Sequence, residues 1–495
     1  MLKKCVSTIA LVVLLAVPSA AQDAKAVISN ASKAMGVDGL NSVTFYGAGA
    51  NFNLGQNNNS NAPWPRANAN DYVRTINFMQ PASRATWVTY GAPVTGGPAV
   101  QGNGQQNITP ANAAWAQQLE IWITPWGFLK GAAANNATVK SQTIGGRRFN
   151  VVTFNAATKS PGGQPYRVVG YIGPQGLVER VQTWLENPIF GDMLVEAEYT
   201  NYRDSYGLMF PAEWVQKRGG YPVFELQILG AHANPANIAQ LIAVPPPPAG
   251  RAGGPGQVVV PGVVLPPAAA AGPTSEKLAD GVFRINGAYN ALAVEFADYI
   301  VLFEPGPQNE MRAQAIIAET KKVIPNKPIR YGVISHHHFD HTSGLPAVVA
   351  EGITIVTPAV NKTFLETALS APRTLAPDSL SRSGKKPVVE GFAGDKRVFS
   401  DATRTFEIHV IKGLPHADGL VIGYLPKEKI LVYADMFNLP PPNDPVPNPP
   451  VVGTMVFLDN IERLKLTPDR LLSIHALVPD RLTSVADIKA SLGRK

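Results

Sequence analysis

The sequence predicts a two-domain protein, a mainly antiparallel β domain with a curved sheet and a helix, followed by an α/β domain. Three observations carry this reading. The chain has 495 residues, well beyond the roughly 100–200 of one ordinary domain. A Pro/Gly/Ala-rich stretch, residues 244–273, contains Pro245 to Pro248, Gly253-Gly254-Pro255-Gly256 and Pro266 to Pro273. Such a stretch neither forms a regular helix nor offers a face to pack, so it reads as an extended linker. Finally, the patterning changes across it, from successive period-two segments to alternating strands and helices.

At the start, Met1-Leu2-Lys3-Lys4, an apolar run from Val6 to Val17 and the small residues Ser19-Ala20-Ala21 have the three-part layout of a secretory signal. Residues 1–21 are expected to be removed, leaving an exported protein, periplasmic or secreted. The apolar run is shorter than the roughly 20 residues of a spanning helix, so no stable membrane insertion is expected after cleavage. Cys5 is the only cysteine and leaves with the signal. The mature chain therefore has no thiol for a disulfide, a nucleophile or a metal. The formal charge of +7 falls by two units with Lys3 and Lys4, and no block of Lys or Arg replaces them. No nucleic-acid partner is indicated.

Residues 22–243 make the first domain. A helix is expected over Asp23 to Met35, and strands over Leu119 to Ile123, Arg148 to Phe154 and Val178 to Trp184, with a turn at Gly173-Pro174-Gln175-Gly176. The Asn-rich stretch from Asn51 to Asn61 reads as a mobile surface loop. The domain's one histidine, His232, reads as structural or solvent-facing. The segments Leu194 to Arg203, Gly207 to Pro211 and Phe224 to Ile228 faintly resemble the last strands of periplasmic lipoprotein-carrier folds. That resemblance, which has no chemical signature, implies at most an apolar ligand for this domain.

Residues 274–495 make the second domain. Strands are expected at Val282 to Ile285, Ala291 to Phe296 and Tyr299 to Phe303, and a helix with an Ala/Ile face over Glu310 to Val323. The short apolar strand Ile329 to Ser335 ends where four of the eight histidines begin. The run Ser335-His336-His337-His338-Phe339-Asp340-His341-Thr342-Ser343-Gly344 contains His-x-His-x-Asp-His. On extended chain, residues i and i+2 project to one side, so His336 and His338 can share a metal while His337 points elsewhere. Asp340 and His341, where the chain turns toward a helix over Leu345 to Ala350, can reach a second metal. Thr342 or Ser343 is the expected cap of that helix. A surface histidine tract is the bland alternative, and the buried-looking strand in front of the cluster disfavours it. For His337, a place behind the ligands, a substrate-facing place and simple surface exposure all stay open.

This motif matches, residue by residue, that of the metallo-β-lactamase superfamily, and residues 274–495 resemble its hydrolases. The resemblance implies a four-layer αββα fold and two metal ions. It makes His416, in Gly413 to Gly419, the third ligand of the first metal beside His336 and His338. It makes Asp435 the bridging carboxylate, and His475 the residue that completes the second metal with Asp340 and His341. Imidazole and carboxylate ligands suit zinc, and also manganese or iron. Two Zn²⁺ per chain sharing Asp435 would hold a water as bridging hydroxide near neutral pH, with Asp340 as the catalytic group that orients it and takes its proton.

The implied substrate is a small molecule with an ester, thioester, lactone or phosphodiester bond. True β-lactamases usually have Cys or Ser where Asp435 stands, which disfavours a β-lactam. An oxygen-using relative would hold one iron with fewer ligands. A periplasmic ligand- or lipid-binding protein with a structural metal domain is disfavoured too, because structural sites are closed by four ligands. Two departures from the pattern stand out: Ala476 follows His475 where many relatives have glycine, and Glu304-Pro305-Gly306 replaces Asp-x-Gly. His409, inside a strand, reads as structural. The Pro-rich stretch Leu439 to Pro450 is expected to rim the active-site mouth.

Overall fold

A computed structural model describes residues 24–90, 102–243, 273–441 and 444–494. The signal segment and nearly all of the linker stretch lie outside the described residues.

The first domain is one eleven-stranded sheet in which every neighbouring pair is antiparallel. Strand Ser42–Phe52 lies near its middle, paired with Arg66–Asn77 on one side and with Tyr221–Ala233 on the other. Register shifts at Tyr46/Gly47 and Gly47/Gly49 bend this strand, as extra residues in a ladder do. At Gly49 a Cβ would stand 1.8 Å from the Glu225 carbonyl oxygen, so the close approach at the bend requires glycine.

Helices Ala24–Ala34, Trp115–Trp122 and Pro125–Ala134 pack with the sheet around a core that includes Phe45, Trp126, Phe128, Tyr199 and Trp214. The first helix forms where the sequence predicts it. The expected strand from Leu119 to Ile123 is instead the end of helix Trp115–Trp122, with Ile123 as its C-cap. Five apolar residues are too few for period to separate helix from strand. Trp115 and Leu119, one turn apart, are both buried as one helix face. Thr124 then starts the next helix, accepting from the Gly127 N–H at 3.0 Å with Pro125 in the first turn.

The second domain stacks a seven-stranded sheet on a five-stranded one. Between them lie Val294, Phe303, Val333, Val356, Phe406, Val432 and Leu472. The outer face of the larger sheet is covered by Glu310–Val323 and Leu345–Glu351, through Ala313, Ile316, Leu345 and Val348. Val452–Arg463 covers the smaller sheet with Phe457, Leu458 and Ile461. This is the four-layer αββα arrangement. The expected side-chain cap of Leu345–Glu351 is absent, and Gly344 fills that position. Thr342 is held in the preceding turn, Phe339–Thr342, where its hydroxyl donates to the His338 carbonyl at 2.8 Å.

The two domains are in contact. The Arg373 guanidinium donates to the carbonyls of Pro188 and Ile189, each at 2.8 Å. Asp192 accepts from the N–H groups of Thr374 and Leu375 at 3.0 and 2.9 Å. Phe339 of the second domain meets Trp64 and Phe190 of the first edge-on.

Candidate metal centre

Strand ends along one edge of the two-sheet sandwich supply the site. Ile329–Val333 leads to Ser335 and His336, and the turn Phe339–Thr342 carries Asp340 and His341. His416 follows Thr405–Val410, Asp435 follows Ile430–Tyr433, and His475 follows Arg470–Ser473. All seven side chains singled out in the sequence are brought together. Potential ligand atoms lie within 4.8 Å of one another in three groups: His336, His338 and His416; His336, His341 and Asp435; and Asp340, His341 and His475.

Asp435 is the shared member. Its Oδ2 is 2.9 Å from His341 Nε2, 3.4 Å from His336 Nε2 and 3.7 Å from His416 Nε2, while Oδ1 is 2.7 Å from His475 Nε2. Asp435 sits at φ +55°, a left-handed conformation that costs a non-glycine residue energy and is held by its surroundings. Its buried Oδ2 has no hydrogen-bond partner. Two imidazole pairs face each other through Nε2 at 3.3 Å, His416 with His336 and His475 with His341. A buried orphan carboxylate oxygen ringed by converging imidazole nitrogens fits cations, which would satisfy the oxygen and the lone pairs together.

The other ring nitrogens decide which atoms face inward. His336 Nδ1 is 3.1 Å from the Ser335 hydroxyl, and His341 Nδ1–H donates to Glu304 Oε1 at 2.8 Å, leaving Nε2 of both rings to the site. His338 is reversed: its Nε2–H donates to the Asn57 carbonyl at 3.0 Å, so Nδ1 is its free atom.

Burial holds the His336 imidazole well below its usual range, and brings His338 down to about 3 and His337 to about 4. Burial thus favours the neutral form of His336 and His338 that a ligand needs, and of His337 behind them. His341 goes the other way. Burial disfavours its charge, but Glu304, Asp340 and Asp435 outweigh burial and raise it well above the ordinary value. Burial likewise works against the charge of Asp340 and Asp435. For Asp340 it is outweighed chiefly by His341, and for Asp435 by His341, His416 and His475, so both carboxyls titrate well below the usual carboxylate range.

Residues 285–473 match the family model of the metallo-β-lactamase superfamily. The carboxy-terminal domain belongs to this superfamily. At that level the match and the His/Asp cluster support a metal-dependent hydrolase. No curated protein matches the chain significantly. Among solved structures, metallo-β-lactamases from Pontibacter korlensis and from Hirschia baltica are each 17% identical, the match covering 45% of this chain and 97% of theirs with a TM-score of 0.33. TMB-1 is 15% identical over the same shares, with the same TM-score.

Around the superfamily motif, four residues hold the ligands in place, three of them unassigned by the sequence. Glu304, the departure from Asp-x-Gly expected to alter a contact behind the ligands, is fully buried at φ +64° and accepts from both His341 Nδ1–H and the Ser335 N–H. The Tyr289 hydroxyl donates to Asp340 Oδ2 at 2.9 Å, and its ring lies 4.4 Å from that of His475. Gln56 and Asn57 come from the Asn-rich stretch, which is not the mobile surface loop expected. It is docked on the metal centre, with Gly55, Asn57 and Ser60 buried. Composition reports its side chains, but the contacts run mostly through its carbonyls, which every residue has. No local signal marked Tyr289, Gln56 or Asn57.

His337 is buried rather than exposed and lies behind the ligands, donating from Nε2 to the Asn57 carbonyl at 2.8 Å. His409 pairs with Glu407 within its strand at 2.9 Å, and the exposed His232 stacks on Tyr46, both apart from the cluster. Beside His416 and Asp435 opens a cleft of about 400 Å³, walled by Leu414, Pro415, Met436 and Val451 with Asn438 and Thr454. Asn438 and Val451 flank the Pro-rich stretch 439–450.

Proposed function

We propose that this protein is an exported hydrolase that uses two zinc ions to cleave a neutral ester, thioester or lactone. The observation that carries the reading is the convergence of two ligand sets on one buried carboxylate, Asp435: His336, His338 and His416 on one side, and Asp340, His341 and His475 on the other. Bound there, the ions would supply Lewis acidity and a water acidified toward neutrality.

The chain's own residues supply orientation. Asp340 is held at both oxygens, Oδ1 by the Gln56 amide at 2.8 Å and Oδ2 by the Tyr289 hydroxyl at 2.9 Å, and remains ionised to orient water and accept a proton. The cleft supports the substrate class. Its described lining is apolar or uncharged apart from His416 and Asp435, with no Lys or Arg to meet a carboxylate or phosphate. A neutral acyl group suits such walls better than a β-lactam carboxylate or a phosphodiester. Export follows from the layout of residues 1–21.

The test is elemental mass spectrometry of the mature protein together with a substrate panel of ester, thioester, lactone, phosphodiester and β-lactam, with and without chelator. About two zinc ions per chain and chelator-sensitive turnover of a neutral acyl substrate are expected. Less than about one metal per chain would overturn the metallohydrolase reading. Turnover confined to β-lactams or phosphodiesters would overturn the substrate class.

A further inference from the structure

The seven candidate ligands all come from the carboxy-terminal domain, but three hydrogen bonds to them and to His337 come from the β domain. Residues 53–62 of the β domain reach across to the carboxy-terminal domain through a continuous set of bonds. The Gly55 carbonyl accepts from the Phe339 N–H at 3.1 Å, and the Asn58 carbonyl from the Asp418 N–H at 2.6 Å. The Asn59 amide donates to Asp418 Oδ2 at 3.0 Å, and the Ser60 hydroxyl to the Val360 carbonyl at 3.2 Å. Between these anchors, Gln56 Nε2 donates to Asp340 Oδ1 and the Asn57 carbonyl accepts from both His337 and His338. The Asn57 side chain braces the loop internally, donating to the carbonyls of Asn59 and Ala62 at 2.6 and 2.9 Å.

We propose that this loop is a working part of the metal centre, with Gln56 and the Asn57 carbonyl acting as positioning groups for one ligand in each half of the site. The inference rests on the two-metal reading above. A carbonyl can only accept, so the Asn57 oxygen requires a proton on His338 Nε2 and leaves Nδ1 as the ligand atom. Gln56 holds the one oxygen of Asp340 that Tyr289 does not. Each half of the site, one built on His338 and the other on Asp340, thus depends on a different part of the loop. The β domain thereby serves the reaction directly, as a structural half of the active site.

The experiment uses the full mature chain, stripped of metal and titrated with zinc against a chromophoric chelator, with circular dichroism melts to verify folding. In Gln56→Ala, one zinc is expected to bind about tenfold or more weakly while the other keeps wild-type affinity, a split that general destabilisation would not produce. In Gly55→Val the new Cβ would lie 2.3 Å from the Phe339 ring at φ +83°, lifting the loop and its Asn57 carbonyl. There both zinc ions are expected to weaken. If Gly55→Val fails to fold, Gln56→Ala decides alone. Wild-type affinity for both ions in Gln56→Ala would overturn the inference and leave the hydrolase reading standing. A wild-type chain that takes up less than about one zinc would overturn both.

Discussion

Replacing Glu304 with glutamine tests how the superfamily motif is held in this chain. Glu304 is fully buried, with Oε1 accepting from His341 Nδ1–H at 2.8 Å and Oε2 from the Ser335 N–H at 3.2 Å. Glutamine has nearly the same shape but only one acceptor oxygen. Turned toward His341, it sets its NH₂ against the Ser335 N–H; turned the other way, it sets that NH₂ against the imidazole N–H. Losing one charge-assisted bond and leaving one buried donor unmet should cost about 1.5–3 kcal/mol. Loss of a partner behind a metal-bound histidine typically weakens metal binding about 10- to 100-fold, which is about 1.4–2.7 kcal/mol, so the two routes agree.

Removing Glu304 also eases deprotonation of His341, which works in the opposite direction. Affinities are therefore compared at the alkaline plateau, where no proton competes with zinc. Chelator competition should show a 10- to 100-fold loss confined to the ion held by His341, Asp340 and His475. Unchanged affinity, or a loss confined to the ion held by His336, His338 and His416, would refute the reasoning.

Tyr289→Phe keeps the ring against His475 and removes one of the two donors to Asp340. At saturating zinc, with content verified by elemental analysis, turnover should fall about tenfold in steady-state kinetics; unchanged turnover would refute a role for this hydroxyl in orienting Asp340. His341, whose folded value is raised by Glu304, Asp340 and Asp435 against burial, is protonated in the metal-free protein at pH below that value. Zinc binding at neutral pH should therefore release a proton from it, visible by calorimetry in buffers of different ionisation enthalpy, and uptake without proton release would refute the assignment. Far from the metals, burial opposes the charge of Asp401, but the N–H groups of Ala297 and Thr403, each at 2.7 Å, and the Thr403 hydroxyl bring it down to about 2. A depressed carboxyl stabilises fully above its unfolded value near 3.8 and loses that contribution as pH falls through about 2. The melting difference between wild type and Asp401→Asn should accordingly shrink over that window, and a gap that persists below it would refute the account.

How far the sequence could be read depended on whether a residue's role was local. The cluster His336 to His341 was legible because four ligands come from one turn at the end of one strand, and spacing alone orients them. Asp435 and His475 were legible because each directly follows an apolar strand, and His416, in the loop after Thr405–Val410, because the resemblance places a ligand there. Glu304 stood out as a departure because it occupies a motif position, yet its partner His341 is 37 residues away and only the fold brings them together. Leu119 to Ile123 was misread because a five-residue apolar run satisfies both periods, and the buried helix face runs back to Trp115.

The stretch 51–61 failed for a different reason. Its asparagines do what a polar composition suggests, bonding to their own backbone, as Asn57 does to Asn59 and Ala62. That internal bracing folds the loop back on itself and leaves other groups facing outward. The groups it presents to the metal domain are largely carbonyls, those of Gly55, Asn57 and Asn58. A backbone carbonyl has no letter in the sequence. A polar, turn-rich segment therefore announces only that it will not enter a core. Whether it meets water or another domain depends on the second surface, here Phe339, His338 and Asp418, lying within reach, and that is a property of the tertiary fold.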